Sequence, residues 1–121
     1  MDIAYVNIFV SDLVRAIEFY RDRLGLELEF SSDEHGYASF AAGDVRLGLA
    51  VPGSDQHGLV GRHTGVGMQV ADLVAEHTRL SDLGVQFAMQ PTEQPWGGFM
   101  ALILDPDGNV LYLDQVAAAH G

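Results

Sequence analysis

One nine-residue stretch of this sequence occurs twice: VNIFVSDLV at residues 6–14 returns as VGMQVADLV at residues 66–74. Two pairs of matching tripeptides follow in the same order, residues 24–26 with 83–85 and residues 43–45 with 108–110. A duplicated unit constrains a fold more strongly than any single helix or strand does. The sequence therefore predicts two copies of one supersecondary unit.

Each copy is predicted to run in the order strand, helix and three further strands. In the first copy, Val6, Ile8 and Val10 alternate with Asn7 and Phe9, which is the period of a strand with two different faces. The later strands are predicted over six segments: 26–30, 37–42, 45–51, 85–89, 99–104 and 110–114. The sequence thus predicts an α+β fold made of two βαβββ modules.

An aspartate precedes each predicted helix, at Asp12 and Asp72, where its carboxylate can accept hydrogen bonds from free backbone N–H groups. The apolar residues of the first helix fall on one stripe: Leu13, Ile17, Tyr20 and Leu24. Gly25 and Gly84 are expected to end the two helices in the left-handed conformation. Both helices are therefore bounded by local sequence signals.

All 121 residues are assigned to a single domain, because a chain of this length and 48% hydrophobic content supports one core of ordinary size. Module one covers about residues 1–52 and module two about residues 65–116. A glycine-rich linker covers about residues 53–64. The segment Asp105–Asn109, DPDGN, is a strong turn signal between the last two strands.

The charge of the chain limits its partners. It has 17 acidic and 6 basic residues, and the formal net charge is −11. Nucleic acid and anionic membrane surfaces are disfavoured as partners, because binding them requires clustered cations. The chain has no cysteine, which excludes disulfides and thiolate chemistry. With no leader-like or membrane-spanning apolar segment in the sequence, we expect a cytoplasmic protein.

Three motifs together carry a family resemblance. VSDL at residues 10–13 leads into FYRDRLGL at residues 19–26, and DPDGN follows at residues 105–109. At these spacings the chain resembles the vicinal oxygen chelate superfamily, which includes glyoxalase I, extradiol dioxygenases, fosfomycin-resistance enzymes and bleomycin-binding resistance proteins. The resemblance implies curved sheets around a ligand cavity, and a homodimer as in many relatives. It does not imply one reaction.

The resemblance also implies where a divalent metal would be held in the enzymes of the family. Counting from the shared motifs, the four corresponding positions are Tyr5, Leu47, Gly65 and Tyr112. Leucine and glycine have no donor atom in the side chain, and a neutral phenol is a poor ligand for a divalent ion. The sequence therefore predicts that the usual metal site is missing and that no cofactor is bound.

Two enzymatic alternatives stay open. His57, His63 and Glu93 could form a relocated metal site of a lyase, isomerase or dioxygenase, or they could be solvent-exposed loop residues. A metal-free enzyme could instead use Tyr5 or Tyr112 as a proton donor. Whether the protein is an enzyme is thus left open. His120, near the C-terminus, is expected to be solvated or structural.

The predicted ligand cavity is aromatic. If Val6, Ile8 and Val10 face the helices, the other side of the strand faces the cavity. The expected ligand-binding residues are Tyr5, Asn7, Phe9, Trp96, Phe99 and Tyr112. Trp96 lies in a loop where it could stack on a ligand or close the end of the core. The segment around it resembles the bleomycin-resistance branch, so the predicted function is metal-independent binding of a small molecule, either aromatic or cationic.

Overall fold

The structure, a computed structural model, describes residues 1–115. Its elements are β1 (Tyr5–Phe9), α1 (Leu13–Glu18), a π-helical segment (Phe19–Arg23), β2 (Glu27–Ser32), β3 (Tyr37–Ala42), β4 (Val45–Ala50), a 3₁₀ turn (His57–Leu59), β5 (His63–Val70), α2 (Leu73–Asp82), β6 (Gln86–Glu93), β7 (Phe99–Leu104) and β8 (Val110–Gln115). The predicted α+β fold of two βαβββ modules is confirmed. His120 and the end of module two at residue 116 lie outside the described residues.

The two modules form two four-stranded sheets with the same topology. Their strand orders are β1-β4-β3-β2 and β5-β8-β7-β6. In each sheet the first strand pairs in parallel with the last strand of its module, and the other pairings are antiparallel. The repeat in the sequence therefore corresponds to a repeat of mixed sheets.

The chain divides into two compact units whose boundaries differ slightly from those of the repeat. The first unit contains Met1–Arg62 together with Pro106–Asn109, and the second contains residues 63–105 and continues from Val110. The turn Pro106–Asn109, which the repeat assigns to module two, thus belongs to the first unit. The assignment of residues 1–121 to one domain stays a prediction.

One face of the first sheet supplies the core of the first unit. Ile8, Val10, Phe40 and Leu49 are fully or almost fully buried, and α1 packs against β3 and β4 on this side. Each such side chain contributes about 1.5–3 kcal/mol when it is removed from water. The alternation in β1 thus directs Val6, Ile8 and Val10 away from the opposite, open side of the sheet.

The sequence correctly predicts the residue that caps the start of each helix and the glycine that follows its end. Asp12 accepts a hydrogen bond from the Arg15 N–H at 3.1 Å, and Asp72 accepts one from the Ala75 N–H at 3.0 Å. Gly25 and Gly84 both have a φ of 83°, as expected for a left-handed helix end. Both predicted N-caps and both predicted stops are therefore confirmed.

The middle of the first helix differs from the prediction. The chain leaves the α-helix after Glu18 and continues as a π-helical segment, in which the Leu24 N–H donates to the Phe19 carbonyl oxygen at 3.0 Å. The wider turn coincides with two consecutive buried aromatic rings, Phe19 and Tyr20, in edge-to-face contact at 5.1 Å between centroids. The apolar stripe in the sequence does not distinguish these two kinds of turn.

The Asn109 side chain helps to hold the turn Pro106–Asn109 in the first unit, where Asp107 also accepts hydrogen bonds from Ser11. The Nδ2 of Asn109 donates to the carbonyl oxygen of Phe9 at 2.9 Å, and its Oδ1 accepts from the backbone N–H groups of Gly61 and Arg62 at 2.8 and 3.0 Å. Asn109 is 1% exposed. One buried amide therefore joins the end of β1, the turn and the segment before β5.

The helices are short. α1 and α2 have 6 and 10 residues, and no helix within residues 1–115 is long and apolar enough to cross a membrane.

Candidate functional site

The face of the first sheet opposite α1, here called the open face, carries the candidate site. The strand register places four residues in one row across all four strands: Asn7, Gly48, Ser39 and Phe30. Tyr5 and Arg46 are paired in the row on one side, and Phe9, Ala50 and Tyr37 lie in the row on the other side. Aromatic and polar side chains from separate strands thus share one surface.

A recess of about 410 Å³ lies on this open face. Its lining residues are Tyr5, Glu29, Phe30, Tyr37, Ser39 and Arg46. The volume lies within the range of about 300–1,000 Å³ that is typical of small-molecule sites. Three of the lining residues are aromatic, and the other three are polar or charged.

Gly48 makes the geometry of the open face possible. The Tyr37 hydroxyl donates to Asn7 Oδ1 at 3.2 Å, so the two side chains meet above β4. A Cβ atom at Gly48 would collide with Asn7 Oδ1 and with the Tyr37 hydroxyl. Only the missing side chain allows this hydrogen bond to cross the strand.

Ser39 forms part of the floor of the recess. The residue is 8% exposed, and its hydroxyl has no hydrogen-bond partner within the described part of the chain. Leaving a buried hydroxyl unsatisfied costs about 1–3 kcal/mol. Because Ser39 lies between Phe30 and Gly48 in the sheet, its side chain is on the open face, and the residue lines the recess.

One ion pair lies at the recess. Arg46 Nε is 3.4 Å from Glu29 Oε1, and both side chains are substantially exposed. The register of β2 shifts between Leu28 and Phe30, and this irregularity accompanies the placement of Glu29 in the lining. An exposed pair of this kind contributes about 0–1 kcal/mol to stability, so its main effect is on the charge next to the recess.

A second ion pair lies outside the lining. Arg21 Nε is 2.9 Å from Asp22 Oδ1 in the π-helical segment. The hydrogen bond from Arg21 lowers the pKa of Asp22, and the same bond raises the pKa of Arg21. Both side chains are exposed to solvent, which screens the interaction, and neither lines the recess.

The structure places three of the six predicted ligand-binding residues on this open face. Tyr5, which is 60% exposed, lines the recess. Asn7 accepts a hydrogen bond from the hydroxyl of Tyr37, which is another lining residue. Phe9 is half-buried in the neighbouring row.

The other three predicted residues belong to the second unit, where they do not share one face. Tyr112 pairs with Leu102 and Gly67, so it lies on the side opposite the buried Leu111 and Leu113. By strand alternation, Phe99 lies on the side of Ala101 and Ile103, which is buried.

Trp96 lies in the loop between β6 and β7. It is 74% exposed and therefore does not close the end of the second unit's core.

One of the four metal positions that were counted from the sequence motifs is assigned to the wrong residue. Leu47 is 3% exposed and lies opposite Val6, on the helix-facing side of the first sheet. Asn7 corresponds to Gly67 in the repeat. Asn7 pairs with Gly48 and Gly67 pairs with Tyr112, so the counterpart of Tyr112 in module one is Gly48. The error was one residue of strand register, which moves a side chain to the opposite face.

His63 also differs from its prediction as a loop residue. It is the first residue of β5 and lies opposite Val110, and the strand register shifts between it and Gly67. The shift brings its ring within 4.9 Å of the Tyr112 ring, measured between centroids. The Gly65 N–H donates to Nδ1 of His63 at 3.1 Å, so in the neutral ring the proton is on Nε2. The positive φ of Gly65, 72°, marks the irregularity.

The donor set does not fit the divalent metal that the enzymes of this fold hold. With the correction, the four positions are Tyr5, Gly48, Gly65 and Tyr112, which provide no imidazole and no carboxylate. No group of three His, Asp or Glu residues within residues 1–115 is arranged to hold a metal ion. The predicted alternative ligands, His57, His63 and Glu93, are thus not assembled into such a group.

Solved structures similar to this chain include an antibiotic binding protein and a lactoylglutathione lyase. A crystal structure of a superfamily member from Sphaerobacter thermophilus DSM 20745 is 27% identical, with a TM-score of 0.83, over 96% of this chain and 98% of that chain. TnmS3, an antibiotic binding protein from Streptomyces sp. CB03234, is 30% identical, with a TM-score of 0.80, over 97% of both chains. Lactoylglutathione lyase from Agrobacterium tumefaciens is 24% identical, with a TM-score of 0.78, over 94% of this chain and 92% of that chain, and shares the fold.

Residues 2–113 match the family described as the Glyoxalase/Bleomycin resistance protein/Dioxygenase superfamily. The match spans both modules and agrees with the two mixed sheets and with the similar solved structures. The chain therefore belongs to the glyoxalase/bleomycin resistance protein/dioxygenase superfamily, also called the vicinal oxygen chelate superfamily.

Proposed function

We propose that this protein binds a small aromatic molecule in the recess of the first sheet, without the metal that the enzymes of the superfamily use. The observation that carries the proposal is the lining, in which the rings of Tyr5, Phe30 and Tyr37 share one recess with three polar residues. Tyr5 is 60% and Phe30 56% exposed, so both rings are open to a ligand. A ligand that stacks on these rings would remove them from water.

The similarity to TnmS3 supports this proposal. That protein is an antibiotic binding protein, and it matches this chain over 97% of both lengths. A binding function also agrees with the missing donor set, because binding by rings and hydrogen bonds needs no metal. We propose that Tyr5, Asn7 and Phe9 take part, and participation of Trp96, Phe99 and Tyr112 stays a prediction.

The test is a titration with 2-acetonaphthone, a two-ring aromatic ketone, followed by calorimetry. Tyr5→Ala and Phe30→Ala should each weaken binding about three- to tenfold, because each removes a stacking surface. Val74→Ala, which truncates an exposed apolar side chain on α2, is the control and should leave binding unchanged. Equal affinity in all four proteins, or no binding by the unaltered protein, would contradict the proposal.

The proposal also includes a homodimer that acts in the cytoplasm. The dimer is suggested by the superfamily, and the compartment by the absence of cysteine and by the acidic composition. Light scattering on the purified protein should give twice the chain mass of 13.1 kDa. A monomer mass at micromolar concentration would contradict the dimer, and recovery of the protein outside the cytoplasmic fraction would contradict the compartment.

A further inference from the structure

Ser39 is in an unusual position for a serine in a sheet. Its hydroxyl is the one buried side-chain polar atom without a partner in residues 1–115. The neighbour in β4 is Gly48, which has no side chain that could satisfy this hydroxyl, and the neighbour in β2 is Phe30, which is apolar. Native proteins rarely keep such a group unless something else satisfies it. Ser39 is also one of the residues that line the recess, so a ligand held there lies next to it.

Several polar groups around the recess can donate hydrogen bonds. Ser39 and Tyr5 each offer a hydroxyl, and Arg46 offers a guanidinium whose Nε faces Glu29. The nearby amide oxygen of Asn7 already accepts from Tyr37. The Glu29 carboxylate is paired with Arg46. A ligand oxygen in this recess therefore has three possible donors: Ser39, Tyr5 and Arg46.

We infer that the ligand is an aromatic molecule carrying a carbonyl or carboxylate oxygen, and that Ser39 determines specificity by donating its hydroxyl proton to that oxygen. This inference rests on the proposed function, since it concerns the same recess. The ring of the ligand lies between the aromatic walls, and its oxygen satisfies the hydroxyl at the floor. A cationic ligand without such an oxygen cannot accept the hydroxyl proton, even though the chain as a whole is acidic.

The proposed role of Ser39 in ligand binding predicts a result that a purely structural role would not produce. Ser39→Ala removes a buried hydroxyl that has no partner, so the melting temperature of the free protein should stay the same or rise. The same change should weaken binding of an oxygen-bearing ligand about fivefold, the size of one lost hydrogen bond. Stability and affinity thus change independently or in opposite directions. Ser31→Ala, at an exposed serine of β2 that is not in the lining, is the matched control.

The experiment compares four probes with the same two rings by calorimetry: 2-acetonaphthone, 2-naphthoate, 2-methylnaphthalene and 2-naphthylmethylammonium. The ketone and the carboxylate should bind about fivefold or more tightly than the hydrocarbon and the cation. Ser39→Ala should reduce their affinity to that of the hydrocarbon and should leave the hydrocarbon unaffected. Ser31→Ala should bind all four probes as the unaltered protein does.

The outcomes separate this inference from the proposed function. If the cation or the hydrocarbon binds as tightly as the ketone, or if Ser39→Ala weakens all probes equally, the inference is overturned while aromatic binding stands. If Ser39→Ala lowers the melting temperature and leaves every affinity unchanged, Ser39 is structural and the inference is again overturned. If none of the four probes binds, the proposed function itself is overturned.

Discussion

At the scale of single residues, the shape of the recess depends on the absence of a side chain at Gly48. Its neighbours Asn7 and Tyr37 occupy the space that a Cβ atom would need, and their hydrogen bond of 3.2 Å spans β4. The sequence predicts the side on which Asn7 lies from the alternation in β1. It does not predict Ser39 or Tyr37 as site residues, because small residues on both faces of β3 hide the alternation there.

We predict that Gly48→Ala damages the recess. The added methyl group must displace Asn7 and the Tyr37 hydroxyl and break their hydrogen bond, which should lower the free energy of unfolding by about 0.5–1.5 kcal/mol. It should also weaken binding of 2-acetonaphthone, because Tyr37 forms one wall. Urea denaturation and calorimetry measure the two effects. Gly58→Ala, where a Cβ would have no neighbour within 4 Å, is the control, and an equal loss there would refute this account.

At the scale of elements, the sequence predicts most of the order and several bounds. The predicted strands 37–42 and 99–104 match β3 and β7, and both helix caps are found. The irregular features are missing from the prediction. Register shifts in β2 and β5 and the π-helical segment each depend on backbone hydrogen bonds, which leave no periodic trace in the residue types. These same shifts accompany the positions of Glu29 and His63, so the site is less predictable than the fold.

We predict that Asn109 stabilises the first unit by attaching the turn Pro106–Asn109 to it. Asn109→Ala removes three hydrogen bonds from a residue that is 1% exposed, and should lower the free energy of unfolding by about 2–4 kcal/mol. Thermal and urea denaturation measure the loss. Asp44 is the counterpart of Asn109 in the repeat and is exposed, so Asp44→Ala should change stability by less than about 0.5 kcal/mol. Similar losses at both sites would contradict the role of the amide.

We predict that the cap of α2 depends on the carboxylate oxygen of Asp72. Asp72→Ala should destabilise the protein by about 0.5–2 kcal/mol, because the Ala75 N–H loses its acceptor at 3.0 Å. Asp72→Asn keeps an oxygen at the same position and should recover most of the loss. Melting temperatures of the three proteins give the comparison. If alanine and asparagine are equally destabilising, charge rather than capping is responsible.

At the scale of the whole molecule, the family is clear, but its chemistry depends on a few positions. Two modules with the same strand order carry different residues at corresponding places, since Asn7 corresponds to Gly67 and Gly48 to Tyr112. Superfamily membership follows from the repeat and the motifs, which cover nearly the whole chain. Whether a member of the superfamily uses a metal depends on the donor atoms at the four metal positions. In this chain those positions carry none of the imidazoles and carboxylates that a divalent ion prefers.

We predict that the protein purified without a chelator contains no stoichiometric Zn, Ni, Mn or Fe. Addition of EDTA should leave the melting temperature unchanged, since removal of a ligand destabilises only a protein that bound it. Elemental analysis by mass spectrometry checks the first point and a thermal-shift assay the second. One equivalent of metal per chain would contradict the donor assignment, and its loss in His63→Ala would identify the relocated site instead.

The turn around Asn109 also bears on how the first unit could be isolated. A peptide that stops at residue 62 would retain one complete sheet with its helix, yet it would lack the amide that ties its first strand to its own last residues. It would also lack the Asp107 carboxylate, which accepts hydrogen bonds from Ser11. The first unit therefore cannot be obtained by cutting the chain once, because part of its framework is encoded after β7.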